Sequence, residues 1–136
     1  MIEYYKNVLK NNYSNFDGRA RRSEFWYYNL MNMIIVITLV ILVVALVAVT
    51  QSAIIGGIIG ILILLYVLGT FIPSIAVLVR RLHDVGKSGW WYFIALVPIV
   101  GTIWLLVLLF TDSQEGSNEY GANPKTNEVD LINTIK

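Results

Sequence analysis

The stretch from Phe25 to Val79, FWYYNLMNMIIVITLVILVVALVAVTQSAIIGGIIGILILLYVLGTFIPSIAVLV, carries no Asp, Glu, Lys or Arg in 55 residues. An ionised side chain is costly in hydrocarbon, so a charge-free apolar run of this length marks bilayer-embedded helices. About 20 residues cross a core of roughly 30 Å at about 1.5 Å per residue. The stretch therefore holds two spans, expected at about 28–50 and 53–79, joined around Thr50 to Ser52. Phe25, Trp26, Tyr27 and Tyr28 form an aromatic belt at the start of the first span, where amphipathic rings favour the headgroup level. The second span is longer than a perpendicular helix needs, and tilt or a kink at Pro73 is expected to absorb the excess.

A second charge-free run extends from Ser88 to Thr111. Within it, Trp90 to Phe110 suits a third span. Pro98 and Gly101 sit at its middle, where a helix loses a hydrogen bond and gains a flexible point. A kinked single span is the preferred reading, and a re-entrant hairpin of two half-helices is the alternative. The preference rests on the rule that irregular backbone at membrane depth survives only when buried in protein, which a small chain can hardly provide.

Composition agrees with a membrane chain. Of the 136 residues, 57% are hydrophobic and 14% charged, against about half and about a quarter in a soluble domain. The segment before the first run is polar and mixed in charge, so the first span is expected to stay in place rather than be cleaved. The absence of cysteine excludes disulfides, thiol catalysis and thiolate metal sites.

The charges fall in three zones. Lys6, Lys10, Arg19, Arg21 and Arg22 precede the first span; Arg80, Arg81 and Lys87 follow the second; Lys125 and Lys136 share the tail with five acidic residues. Basic residues near span ends favour the cytoplasmic side. Both basic zones are therefore expected to be cytoplasmic, with two spans between them and, for a kinked third span, the tail outside. The chain is expected to be an all-α integral membrane bundle of three transmembrane helices, the third kinked or re-entrant, plus a short N-terminal amphipathic helix. It divides into an interfacial segment (1–24), a transmembrane domain (25–111) and a polar tail (112–136), the last expected to be irregular and mobile.

Met1 to Tyr13 reads as the amphipathic helix, with Ile2, Tyr5, Leu9 and Tyr13 on one side and Lys6, Asn7, Lys10 and Asn11 on the other. Such a helix either packs on its own protein or lies on the inner leaflet. Gly56 and Gly60 form a small-xxx-small pair and are candidates for close helix–helix contact.

The densest polar segment is Arg80-Arg81-Leu82-His83-Asp84-Val85-Gly86-Lys87-Ser88-Gly89-Trp90-Trp91, read as a loop. It suits either a phosphate-bearing headgroup or a topology signal with a tight turn and Trp anchors. Gly86-Lys87-Ser88 is not a nucleotide P-loop, because the required upstream glycine is Arg81 and no strand precedes it. His83, the single histidine, cannot build a metal site alone and is expected to be a hydrogen-bonding residue at the interface. Glu24 is placed to meet Arg80 or Arg81, and Asp84 to meet Arg21 or Arg22. Arg19, Arg21, Arg22, Glu24, Arg80, Arg81, His83, Asp84 and Lys87 are thus the candidate interface and headgroup layer. No nucleophile–base pair, paired buried carboxylates or intramembrane charge is present, so no enzyme, cofactor, metal site or proton-relay pump is expected.

Phe16-Asp17-Gly18-Arg19-Ala20-Arg21-Arg22-Ser23-Glu24-Phe25-Trp26 and Arg81-Leu82-His83-Asp84-Val85-Gly86-Lys87-Ser88-Gly89-Trp90-Trp91 resemble the N-terminal and central signatures of the DUF805 family of small bacterial inner-membrane proteins. Pro98-Ile99-Val100-Gly101 and Gly116-Ser117-Asn118-Glu119-Tyr120-Gly121-Ala122-Asn123-Pro124 match its later elements. The resemblance implies a bacterial cytoplasmic-membrane location and a compact helical fold, and no activity. It raises the standing of Arg19, Arg22, Glu24, Arg81, His83, Asp84, Gly86, Lys87, Gly89 and Trp90. The expected function is a non-enzymatic membrane module that binds anionic lipid headgroups, a protein partner or a second copy of itself. A component of a small-solute transporter or channel is the alternative. The bilayer is an expected partner, and nucleic acid is not.

Overall fold

The computed structural model describes residues 1–126. Its elements are α1 (Ile2–Lys10), α2 (Arg22–Thr50), α3 (Ala53–Asp84), a 3-10 helix (Gly89–Leu96) and α4 (Val100–Phe110). Among the described residues the only β pairing is an isolated bridge between Asn118 and Gly121.

α2 and α3 form an antiparallel pair. Gln51 ends α2 in the left-handed conformation (φ 53°), its N–H donating to the Val47 carbonyl, and Ser52 caps α3 by accepting from the Ile55 N–H. Two residues thus reverse the chain. A Cβ on Gly56 would lie 2.8 Å from Val47 Cγ2, so glycine permits the helices to approach there, whereas a Cβ on Gly60 would meet no neighbouring element within 4 Å. The 29 residues of α2 and 32 of α3 span about 44 and 48 Å, well beyond a hydrocarbon core of roughly 30 Å. Both helices expose large apolar side chains, among them Ile41, Val44, Val49, Ile54 and Ile61. Leaving each in water would forfeit roughly 1.5–3 kcal/mol, the signature of a lipid-facing surface. Arg80–Asp84 belong to α3, so the segment read as a loop is helical in its first five residues.

Pro73 lies inside α3 and cannot donate to the Gly69 carbonyl one turn back. The Tyr13 hydroxyl takes that carbonyl at 2.6 Å. Beside it, Tyr28 donates to Thr70 O at 3.3 Å and meets the Ser74 hydroxyl at 3.2 Å. α1 packs on this aromatic seam. Val8 is fully buried, Tyr5 stacks on Tyr28 with centroids 5.6 Å apart, and the Tyr5 and Tyr66 hydroxyls meet at 2.8 Å. Of the two readings of the N-terminal helix, the structure has the one packed on its own protein.

Trp90 to Phe110 is not one continuous helix. The chain runs out along the 3-10 helix, turns through 97–99 and returns along α4. At the return, Phe110 O accepts from Arg22 Nη1 at 3.3 Å and the Gln114 N–H donates to Asp84 O at 2.8 Å. Both feet of the hairpin stand in the layer of Arg22 and Asp84, and the tail lies there too, not at the far end near Gln51. Two local features make the reversal possible. A Cβ on Gly101 would fall 1.7 Å from the Ile94 carbonyl oxygen, so only glycine lets the arms close. The tip also pairs its backbone: Val97 N–H donates to Ile94 O, Val100 N–H to Pro98 O and Gly101 N–H to Val97 O, while Pro98 has no N–H to strand. Helical arms and a self-paired turn thus meet the objection that irregular backbone needs covering by protein. The turn is strained at Ile99, a β-branched residue with φ 63°. Each arm is about 16 Å long, half a hydrocarbon core.

Within the tail, residues 112–126 are irregular and strap back onto the end of α3 rather than hanging free. The weak apolar spacing of Val129 to Ile135 lies outside the described residues.

Candidate functional site: a buried charge layer above an interfacial groove

Asp84 ends α3 with no exposed surface. Its carboxylate accepts from Arg19 Nε at 3.0 Å, from Arg81 Nη1 and from the Ser113 hydroxyl at 2.6 Å. Two guanidiniums thus share one carboxylate, and the surplus positive charge is met by main-chain carbonyls. Arg19 donates to Gln114 O at 2.6 Å and Gly116 O at 2.8 Å. Arg81 donates to Leu109 O at 3.2 Å, to Ala20 O at 3.4 Å and to Thr111 O. Leu109 and Thr111 are at the C-terminal end of α4, where helix carbonyls lack partners and the dipole is negative. Arg81 is therefore the C-terminal cap of the hairpin's returning arm. Burial pulls the Arg81 pKa down, and Asp84 beside it opposes the shift.

A second pair, Glu24 Oε1 to Arg80 Nη1 at 2.8 Å, ties the start of α2 to α3, with both side chains nearly buried. Arg80 Nε and Nη2 are buried without a hydrogen-bond partner. Arg22 reaches Asp112 at 3.3 Å in an exposed pair, and Lys125 also contacts Asp112, holding that carboxyl below its ordinary value. Of the two partners anticipated for Glu24, Arg80 is the one it meets. Asp84, by contrast, pairs with Arg19 and Arg81, while Arg22 turns to Asp112. Arg21 is the half-buried N-cap of α2. Lys87 stands apart from the layer, its ammonium 4.8 Å from the centre of the Trp91 ring.

His83 lies flat on Tyr120, with centroids 3.8 Å apart and planes 1° from parallel. Its Nδ1 is 3.1 Å from the Gly18 carbonyl, which can only accept, so Nδ1 carries the proton and Nε2 is left as an acceptor. Burial lowers the His83 pKa, while the Gly18 bond and the charges of Asp17 and Glu119 oppose that shift. Ser113 and Gln114 had no signal as site residues, Gln114 because it contributes through its main-chain oxygen, and Tyr120 lay in a quoted motif without being singled out. Asp17 lay in the quoted motif but was not singled out.

Below His83, between α3 and the 3-10 helix, runs a cavity of about 500 Å³. Ile75, Leu78, Val79 and Phe93 form its apolar wall, and Asp17 and Tyr120 its mouth beside His83. Gly89 allows the two elements to meet, since a Cβ there would lie 2.9 Å from Val79 Cγ1. The described residues contain no cluster of three or more His, Cys, Asp or Glu able to hold a metal ion.

Residues 13–122, from the Tyr13 contact to the tail strap, match the family described as "Protein of unknown function (DUF805)". The chain belongs to the DUF805 family. It is 43% identical over 124 residues to Inner membrane protein YhaI of Escherichia coli (strain K12), covering 91% of this chain and 97% of that protein. It is 39% identical over 126 residues to Inner membrane protein YhaH of the same organism, covering 91% and 98%. No solved structure matches the chain. With two helices long and apolar enough to cross a bilayer, this DUF805 chain is an integral membrane protein.

Proposed function

We propose that the chain is a non-enzymatic binding module of the bacterial inner membrane, with two spans and a hairpin dipping into one leaflet, and with both the amino terminus and the tail in the cytoplasm. Its binding surface is the groove between α3 and the 3-10 helix, and its ligand an amphiphile drawn from the bilayer. The observation that carries this reading is the fate of the cations. Arg19, Arg80 and Arg81 are buried and engaged by Asp84, Glu24 and carbonyls, which leaves them little to offer an external headgroup. The charge layer acts as a clamp that docks hairpin and tail onto α3, and the groove is what the clamp leaves open. Its mouth lies level with the charges and its apolar wall runs one to two turns toward the membrane, the polarity gradient of a lipid. Basic residues at the ends of both spans support the orientation.

Purification of the full chain in native-lipid nanodiscs, followed by native mass spectrometry, tests the reading. A bound lipid surviving release from the disc is expected, and a chain that sheds all lipid contradicts it. The same spectrum gives the oligomeric state. Self-association is a secondary reading, favoured by the open flank of Gly60 on the lipid-facing side of α3.

A further inference from the structure

The groove has a sign, and it is not the one that the arginine-rich sequence suggests. Asp17 lines the mouth, is exposed, and has no ion-pair partner among the described residues. His83, also lining the groove, spends its Nδ1 proton on Gly18, which leaves Nε2 as its acceptor nitrogen. The nearest cations are committed elsewhere: Arg19 and Arg81 to Asp84 and carbonyls, Arg80 to Glu24, Lys87 to the face of Trp91. The mouth therefore offers a carboxylate and an imidazole lone pair, with Phe16 and Tyr120 beside them. A carboxylate and a neutral imidazole nitrogen receive an N–H donor and a positive charge. An anionic headgroup would face the exposed carboxylate of Asp17. Below, the wall of Ile75, Leu78, Val79 and Phe93 is apolar, and a volume of about 500 Å³ falls within the usual range for a small-molecule site.

We propose that the groove binds a bilayer lipid with a primary-ammonium headgroup, the ammonium held between Asp17 and His83 and one acyl chain lying along Ile75, Leu78, Val79 and Phe93. The proposal rests on the groove being the binding surface, and it adds the headgroup chemistry.

The test uses the full chain in nanodiscs of equal phosphatidylethanolamine and phosphatidylglycerol, with retained lipid read by native mass spectrometry. Phosphatidylethanolamine is expected to be retained about tenfold over phosphatidylglycerol, a difference of ~1.4 kcal/mol. Asp17→Asn, an exposed and unpaired position whose change leaves the fold intact, is expected to reduce that enrichment toward the bulk ratio while lipid is still retained. Ile75→Trp, which fills the apolar wall, is expected to remove retention of both lipids. Equal retention of the two lipids, preference for phosphatidylglycerol, or an Asp17→Asn variant as selective as the parent overturns the ammonium proposal and leaves the groove standing. Loss of all lipid from the parent protein overturns the groove and the proposal together.

Discussion

Arg19 and Asp84, 65 positions apart, meet at 3.0 Å between Nε and Oδ1 with both side chains buried. The contact joins the segment before the first span to the end of the second. Through Arg81 and Ser113 the same carboxylate also holds the hairpin's returning arm and the tail. Four parts of the chain thus converge on one acidic group.

Removing that group should be severe. Asp84→Asn leaves two buried guanidiniums without a counter-charge, and breaking a buried pair costs about 3–5 kcal/mol. Thermal unfolding in detergent is expected to show a large fall in midpoint, or no folded protein. Lys125→Ala, which loses only an exposed contact with Asp112, should change stability by no more than about 0.5 kcal/mol. Equal effects of the two changes would contradict the clamp.

The Glu24–Arg80 pair is separable from the clamp. Glu24→Gln should destabilise by about 3 kcal/mol, because Arg80 stays buried and charged with two nitrogens already unpartnered. The double change Glu24→Leu with Arg80→Met removes both charges and should recover most of that loss. A double variant as unstable as Glu24→Gln would show that the pair contributes net stability.

The hairpin depends on Gly101. Alanine there would push its Cβ into the Ile94 carbonyl, which is backbone and cannot swing away. Gly101→Ala is expected to part the arms. The backbone amides at Val97 and at position 101, paired at the turn, should exchange slowly with deuterium in the parent and faster in the variant. Equal exchange in the two proteins would show that the arms tolerate a Cβ there.

How much of this was legible in the sequence depended on the range of the interaction. The two spans follow from the charge-free run alone. The Glu24–Arg80 contact follows from two antiparallel helices of similar length. The hairpin was not decidable, because Pro98 and Gly101 suit a kink as well as a reversal; what decides between them is the carbonyl of Ile94 meeting Gly101 across the turn. The tail strap was hidden because Gln114, Gly116 and Thr111 act through main-chain oxygens, which any residue carries. The pairing of Asp84 with Arg19 was missed for a related reason. Arg21 and Arg22 are adjacent to the helix start, but the chain turns at positive φ on Gly18 and brings Arg19 inward instead.

His83 sets a pH dependence. Burial places its folded pKa below the ordinary 6.5, so the unfolded imidazole takes up a proton first as pH falls. Its contribution to stability is complete above about pH 6.5 and is lost as pH drops from there through the lower folded value. Asp17 and Glu119 face the ring and soften the loss without reversing its sign. The melting midpoint should fall between about pH 7.5 and 5.5, and His83→Gln should flatten part of that fall. Parallel curves for the two proteins would remove His83 as the cause.

The central claim is that the third apolar segment doubles back, placing the tail on the same side as the amino terminus. The chain has no cysteine, so single introduced cysteines report one position each without background. Asn11→Cys, Ser52→Cys and Ser117→Cys, probed in intact cells and in inverted vesicles with a membrane-impermeant thiol reagent, measure sidedness directly. Asn11→Cys and Ser117→Cys are expected to react only in inverted vesicles, and Ser52→Cys only in intact cells. Reaction of Ser117→Cys from the same side as Ser52→Cys would contradict the hairpin and restore three full spans.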